Sequence, residues 1–174
     1  MQSLAARPAR TEYAPYYHRY VSLVPDGDIL ASLERGRDET LALLAGIPES
    51  DAGFRYAPGK WSIRELMGHL IDGERIFTYR ALCFARNDST PLPGFEEDEY
   101  IRNAAFDTIP LPELAEEYGT VRQASILLFR HLTPEAWDRV GTANNGVASV
   151  RGIAWIMAGH ELHHMEVLRS RYLA

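Results

Sequence analysis

A single cysteine, Cys83, is the only thiol in this 174-residue chain. That excludes an internal disulfide and any multi-cysteine metal site. Its surroundings, RALCFAR, read as helix, so Cys83 is either a small core residue or a reactive thiol. Lysine is as scarce, with Lys60 alone against 17 arginines, and no basic cluster stands out from a net charge of −6. That balance disfavours nucleic acid and anionic membrane as partners, because both require a basic face. No stretch approaches the roughly 18 apolar residues of a membrane span. The opening MQSLAARPAR has no apolar run of the kind a signal peptide carries. Internal repeats, low-complexity tracts and interdomain linkers are missing too, as are convincing strands. The expectation is a cytoplasmic protein that acts on a small molecule.

What is present is ordinary globular material, 46% hydrophobic and 24% charged, long enough for one domain with a real core. Residues 1–174 read as a single domain. Residues 1–25 form an arm whose aromatics, in TEYAPYYHRYVSLVP, suit packing on the body better than disorder. Four long amphipathic segments follow. The first starts after Asp26 or Asp28, with Ile29, Leu30, Leu33, Thr40, Leu41 and Leu44 as its stripe, and ends near Gly46 and Pro48. The second opens at Ser62-Ile63-Arg64-Glu65, a capping box, and runs to about Arg86. Its inward face should hold Leu66, His69, Leu70, Ile76, Phe77 and Leu82. A Pro- and acid-rich connection, NDSTPLPGFEEDEY, comes next, with a short helix expected at Glu97 to Asn103. The third long helix covers Pro112 to His131. Thr133-Pro134-Glu135 starts a helical turn, Asn144-Asn145-Gly146 marks a turn, and the last helix runs from Ser149 to about Arg169. The fold class expected is all-α, a four-helix bundle with long loops and short extra helices.

The last helix contains GHELHH, which crowds three of the six histidines into five residues. At about 100° per residue, His160 and His164 lie roughly 40° apart on one face, one turn apart. That spacing lets two neutral imidazoles chelate one divalent cation such as Zn²⁺ or Ni²⁺. His163 lies on the flank, toward solvent or a carboxylate. Two ligands make a weak site, and the candidates for a third are His18, His69 and His131. Of these, His69 sits mid-helix on the buried side, where an imidazole needs a hydrogen-bond partner or a metal. His69, His160 and His164 together make an open three-histidine site, the pattern of catalytic rather than structural zinc.

The same stretch satisfies H-E-x-x-H, which in zinc proteases supplies a glutamate base. Glu161 is therefore the candidate catalytic base, although the third downstream ligand of those proteases is missing. A solvated surface carboxylate is its other reading. Asp72, one turn beyond His69, is the candidate to hold that imidazole or to serve as a fourth ligand; an ion pair with Arg75 or a solvated position is its alternative. Arg80 suits either an anionic substrate group or a surface ion pair. Tyr56, Trp61 and Phe95 either line the mouth of the site or pack beneath the loops.

Three segments carry a family resemblance: YAPGKWSIRELMGHLIDGERIFTYR (Tyr56–Arg80), the RNDSTPLPGF loop, and AGHELHHMEVLRSRYL near the C-terminus. With the spacing between them, the whole chain resembles the DinB-like, YfiT-related metal-binding family. The hallmark of that family is one histidine in the second helix and an H-x-x-x-H pair in the last, which fall here on His69, His160 and His164. The resemblance implies an up-down-down-up bundle, a bound divalent metal, commonly nickel or zinc, and often a homodimer. The wider group includes enzymes that use mycothiol or bacillithiol, both S-transferases and a maleylpyruvate isomerase. Three functions therefore remain open. The first expectation is thiol-dependent, S-transferase-like chemistry with a low-molecular-weight thiol cofactor; the alternatives are metal-dependent hydrolysis by activated water and a non-catalytic metal-stabilised bundle that binds a partner.

Overall fold

The structure, a computed structural model, describes residues 6–174; the first five residues of the N-terminal arm lie outside the described residues. Its elements are α1 (His18–Val21), α2 (Ile29–Ala45), α3 (Ile63–Ala85), α4 (Glu97–Asn103), α5 (Leu111–Arg130), α6 (Pro134–Trp137), β1 (Val140–Ala143), β2 (Gly146–Ser149) and α7 (Val150–Val167). A π-type turn, Leu168–Tyr172, closes the chain. Among the described residues, no helix is long and apolar enough to cross a membrane.

Three of the four long helices, α2, α3 and α7, begin at a residue whose own side chain satisfies an orphan N–H group. The Asp28 carboxylate accepts from the Leu30 N–H at 2.9 Å. Ser62 and Glu65 close the expected capping box, with Ser62 Oγ accepting from Glu65 N–H at 3.1 Å and Glu65 accepting from Ser62 N–H at 2.8 Å. Ser149 Oγ accepts from Gly152 N–H at 2.8 Å and opens α7.

The bundle direction follows from residue pairs between helices. Glu34 pairs with Arg130 and Arg37 with Gln123, so α2 and α5 run antiparallel. Glu74 meets Arg122 and Thr78 meets Ser125, so α3 and α5 run parallel. His69 meets His160 while the Tyr172 hydroxyl donates to the Trp61 carbonyl, so α3 and the last helix run antiparallel. This is the up-down-down-up order, with α2 and α3 each packed chiefly on α5 and α7. Two parallel neighbours, α3 and α5, require the chain to travel back along the bundle between them. The segment after α3 does this. Phe106 lodges where a Cβ on Gly68 would meet its ring at 2.3 Å, so only glycine fits at residue 68. Asp107 then accepts from Ser62 Oγ beside the start of α3.

Two apolar clusters fill the bundle. One gathers Leu33, Phe84, Ile126, Phe129 and Trp155, and the other Leu66, Ile71, Leu114, Tyr118 and Leu168. In each long helix one or two buried polar side chains lie between the stretches that feed these clusters: Thr40, Glu74, Arg122, and the pair His160 and Glu161. The arm lies on α7, where the Tyr20 carbonyl would stand 2.1 Å from a Cβ at Gly159, again a place for glycine alone.

Several expectations change. The Asn144-Asn145 turn joins two short antiparallel strands, β1 and β2, in the register Ala143↔Gly146, which the sequence reading had missed. Both asparagines have positive φ, 50° and 58°, as a two-residue hairpin loop of this hand requires. Four-residue strands are too short to show alternation. The backbone of Leu92 pairs with this hairpin, its N–H donating to Thr142 O at 2.9 Å, and so fastens the Pro-rich loop. Leu82, expected inside, is exposed, because it falls on the outer face of α3 while its neighbours Ala81, Cys83 and Phe84 take the core positions. Cys83 is buried as a core residue.

Candidate metal centre

α3 and α7 cross so that His69 and His160 face each other, and the next turn of α7 adds His164. His160 Nε2 lies 2.9 Å from His69 Nε2 and 3.1 Å from His164 Nε2. One ring nitrogen from each of the three lies within 4.8 Å of the others. Three nitrogens converging this closely cannot all be satisfied by one another, because each imidazole N–H···N bond needs one donor and one acceptor. A cation at the centre removes the conflict. A tetrahedral ion with Zn–N bonds of about 2.05 Å separates its nitrogens by roughly 3.3 Å, a few tenths wider than the distances found. Three neutral imidazoles also form the donor set that borderline divalent ions prefer.

The surroundings keep the rings neutral. Burial pushes His69 down to about 4 from its ordinary 6.5. His160 and His164 are pushed well below 6.5, again by burial first and by the neighbouring histidines second. Neutral imidazole is the form that ligates a metal. Aromatic rings fix the orientation. Trp61 lies tilted against His69 with centroids 4.7 Å apart, and Tyr20 and Phe77 meet His160 edge-on at 5.2 and 5.8 Å.

The cluster is open on two sides. A cavity of about 250 Å³ reaches His69 and His160 between the aromatic arm and the Pro-rich loop. A second, of about 300 Å³, reaches His164 beside Trp61, Lys60 and Tyr172. Between them α4 presents Glu97, whose Oε2 stands 3.7 Å from His69 Nε2. Partial burial, and then Asp98 beside it, raise the Glu97 carboxyl above its usual range.

Of the residues singled out from sequence, the three histidines come together. His18 does not join them; it pairs with Tyr13 and Arg10 in the arm. His163 turns away and meets the Tyr20 ring at 5.5 Å.

Glu161 is not a base for this site. It is 2% exposed and points to a different face of α7, toward α2 and α5. There Thr40 Oγ1 donates to it at 2.7 Å, the Tyr118 hydroxyl donates to it, and Arg122 Nη1 pairs with it at 2.5 Å. The 100° step from His160 to Glu161 carries the carboxylate onto the face packed against α2 and α5. Asp72 is likewise no partner of His69. It is half-buried facing α5, where Arg75 and Glu117 are its charged neighbours and burial raises its carboxyl. Arg80 is no surface ion pair, since it is only 4% exposed. Trp61 packs on His69 as well as bordering the second cavity, and Phe95 lines the first.

Sequence reasoning missed Glu97 and Tyr20. Glu97 stands in the acidic run EEDE, which marks a helix start but gives no sign of which carboxylate faces the bundle. Tyr20 belongs to the aromatic arm, whose composition pointed to packing but not to a place.

Fold and site define a class: a four-helix bundle with three histidines from two facing helices gathered beside open cavities. The DinB superfamily model matches residues 32–168, most of the chain, and the protein belongs to that superfamily. A protein of Oceanobacillus iheyensis, provisionally named a metal-dependent hydrolase, is 28% identical over 113 residues. That match takes in 63% of this chain, which spans 64% of that relative's length. Among solved structures, YfiT from Bacillus subtilis, provisionally described as a metal-dependent hydrolase with an unusual four-helix bundle topology, superposes with TM-score 0.66. It is 14% identical, with 95% of this chain and 96% of YfiT covered. A mycothiol-dependent maleylpyruvate isomerase superposes with TM-score 0.67 at 15% identity, over 83% of this chain and 61% of that one.

Proposed function

We propose that this protein is a metal-dependent hydrolase whose divalent ion, zinc or nickel, is held by His69, His160 and His164. The observation that carries the reading is the convergence of three Nε2 atoms at the end of an open cavity, with Glu97 beside them. A divalent ion bound there supplies Lewis acidity, polarising a substrate carbonyl and bringing the pKa of water toward about 7.

The chain's own groups do the rest. Trp61, Tyr20 and Phe77 hold the imidazoles in place and keep bulk water from their flanks. Glu97 accepts a proton from the attacking water as its oxygen bonds to the carbonyl carbon. The same carboxyl then returns the proton to the leaving nitrogen or oxygen as that bond breaks, giving an acid and an amine or alcohol. A carboxyl raised by its surroundings suits both halves of this transfer.

Thiol-dependent transfer is the second reading, supported by the shared fold with the mycothiol-dependent isomerase. In it the same ion holds a low-molecular-weight thiol as thiolate. A closed, purely structural metal site lacks support, because Asp72, its candidate fourth ligand, faces Arg75 and Glu117.

The test starts with metal analysis by mass spectrometry on protein purified without a metal-affinity tag. About one divalent ion per chain is expected, lost in His69→Ala and His164→Ala. Loaded protein is then assayed on small amides and esters with and without added mycothiol or bacillithiol. Turnover without thiol supports hydrolysis, whereas strict thiol dependence replaces it with the second reading. Wild-type protein that takes up neither zinc nor nickel rules out both.

A further inference from the structure

Arg80 stands out among the buried charges. It is 4% exposed, yet among the described residues no carboxylate comes within ion-pair distance of it. Its Nη2 donates to the Pro93 carbonyl at 2.8 Å, which uses one of the five guanidinium N–H bonds. A buried arginine without a counter-charge is costly. Arg122 shows how the same bundle handles a structural arginine, by pairing it with Glu74 and Glu161.

Arg80 borders the cavity that reaches His69 and His160. On α3 it lies eleven residues beyond His69, a rise of roughly 16 Å, and long helical side chains lean back toward the N-terminus, here toward the histidines. Its guanidinium carbon is 5.9 Å from the Phe77 ring, which is 5.8 Å from the His160 ring, so at most about 12 Å separates the cation from that ligand. The cavity thus has a cation at one end, metal-ligating imidazoles at the other, and aromatic walls from Tyr17, Phe77 and Phe95.

We propose that Arg80 is the anchor for a substrate carboxylate, so that the substrate is a small carboxylic acid with its reacting bond a few bonds away, at the three histidines. The planar guanidinium fork matches a carboxylate in a two-bond contact. Glu96 and Glu97 line the same cavity and oppose a doubly charged phosphate more strongly than a single negative charge. The identity of the reacting bond rests on the hydrolytic reading; the anchor itself does not.

The test is therefore a binding measurement on metal-free protein, where a carboxylate has no ion to ligate. Calorimetry compares 3-phenylpropionate, its neutral amide and phenethyl phosphate on the wild type and on Arg80→Gln. The acid should bind at least tenfold tighter than the amide, and Arg80→Gln should erase that difference while circular dichroism stays unchanged. Equal affinity for acid and amide on the wild type, a comparison that needs no variant, overturns the anchor. Tighter binding of the phosphate overturns the carboxylate assignment. No binding of any of the three overturns the proposal as well. Arg80-dependent binding of the acid in a protein that hydrolyses nothing keeps the anchor and discards the hydrolytic reading.

Discussion

His160 and Glu161 are neighbours on α7, yet they belong to buried polar clusters of opposite character. Glu161 joins Arg122, Glu74, Tyr118 and Thr40 in a network in which the carboxylates face a guanidinium and the hydroxyls donate to Glu161. That network is closed: its partners lie within the bundle. His160 joins His69 and His164 in a cluster of three ring nitrogens that cannot all satisfy one another, beside two cavities. The difference separates scaffold from site. A buried charge matched inside the fold ties helices together, whereas converging lone pairs on the wall of a cavity await a ligand.

The sharpest way to break the comparison is to cut the closed cluster. Arg122→Met leaves Glu74 and Glu161 buried without their cation, and should cost about 3–5 kcal/mol in urea unfolding. Replacing Glu74, Arg122 and Glu161 together by apolar residues of similar size should recover most of that loss. If the single change costs under 1 kcal/mol, the network is not what holds α3, α5 and α7 in register.

Glu97→Gln acts on the open cluster instead. Hydrolytic kcat/KM should fall about 10²–10⁴-fold, with metal content and melting temperature unchanged. An unchanged rate returns the base role to solvent. Glu161→Gln is the counterpart: it should lower stability but leave the rate per metal-loaded molecule as it was.

Acid separates the clusters in another way. Burial holds His69 at about 4 in the fold against 6.5 as its ordinary value. Between those limits the unfolded chain takes up a proton that the folded chain refuses. Metal-free protein should therefore lose stability as pH falls from about 6.5 toward 4, on the order of 3 kcal/mol from His69, whose own share of the loss is complete below about 4. Metal-free His69→Ala should show a shallower slope over the same range in urea titrations. Identical slopes for the two proteins would dismiss the burial of a neutral His69.

The smallest effect is expected at Asp72. Asp72→Asn should leave metal affinity, read by competition with a chelating dye, within about twofold, against the 10–100-fold loss typical when a group that holds a ligand is removed.

Much of this molecule was legible in its sequence because the signals are local. Ser62 and Glu65 start α3 within one turn, Asp28 and Ser149 cap their own helices, and the i, i+4 spacing of His160 and His164 follows from helical pitch alone. The short helix Glu97–Asn103 likewise has the bounds its acidic start suggested. Glu161 was misjudged because H-E-x-x-H carries no mark of which helix packs on which side. The 100° step after His160 turns a residue toward the cavity or toward Arg122 according to the neighbours of α7. Asp72 failed for the same reason on α3, where α5 takes its side of the helix.

By itself, then, the chain determined the number and limits of its long helices and the presence of a histidine pair on one helical face. Only the tertiary structure decided that His69 completes the group, that Glu97 rather than Glu161 stands beside it, and that Arg80 is buried without an ion pair among the described residues. Capping and pitch act over a few residues along the chain. Which faces meet is set by packing between segments far apart in the sequence, 91 residues for His69 and His160 and 121 for Thr40 and Glu161.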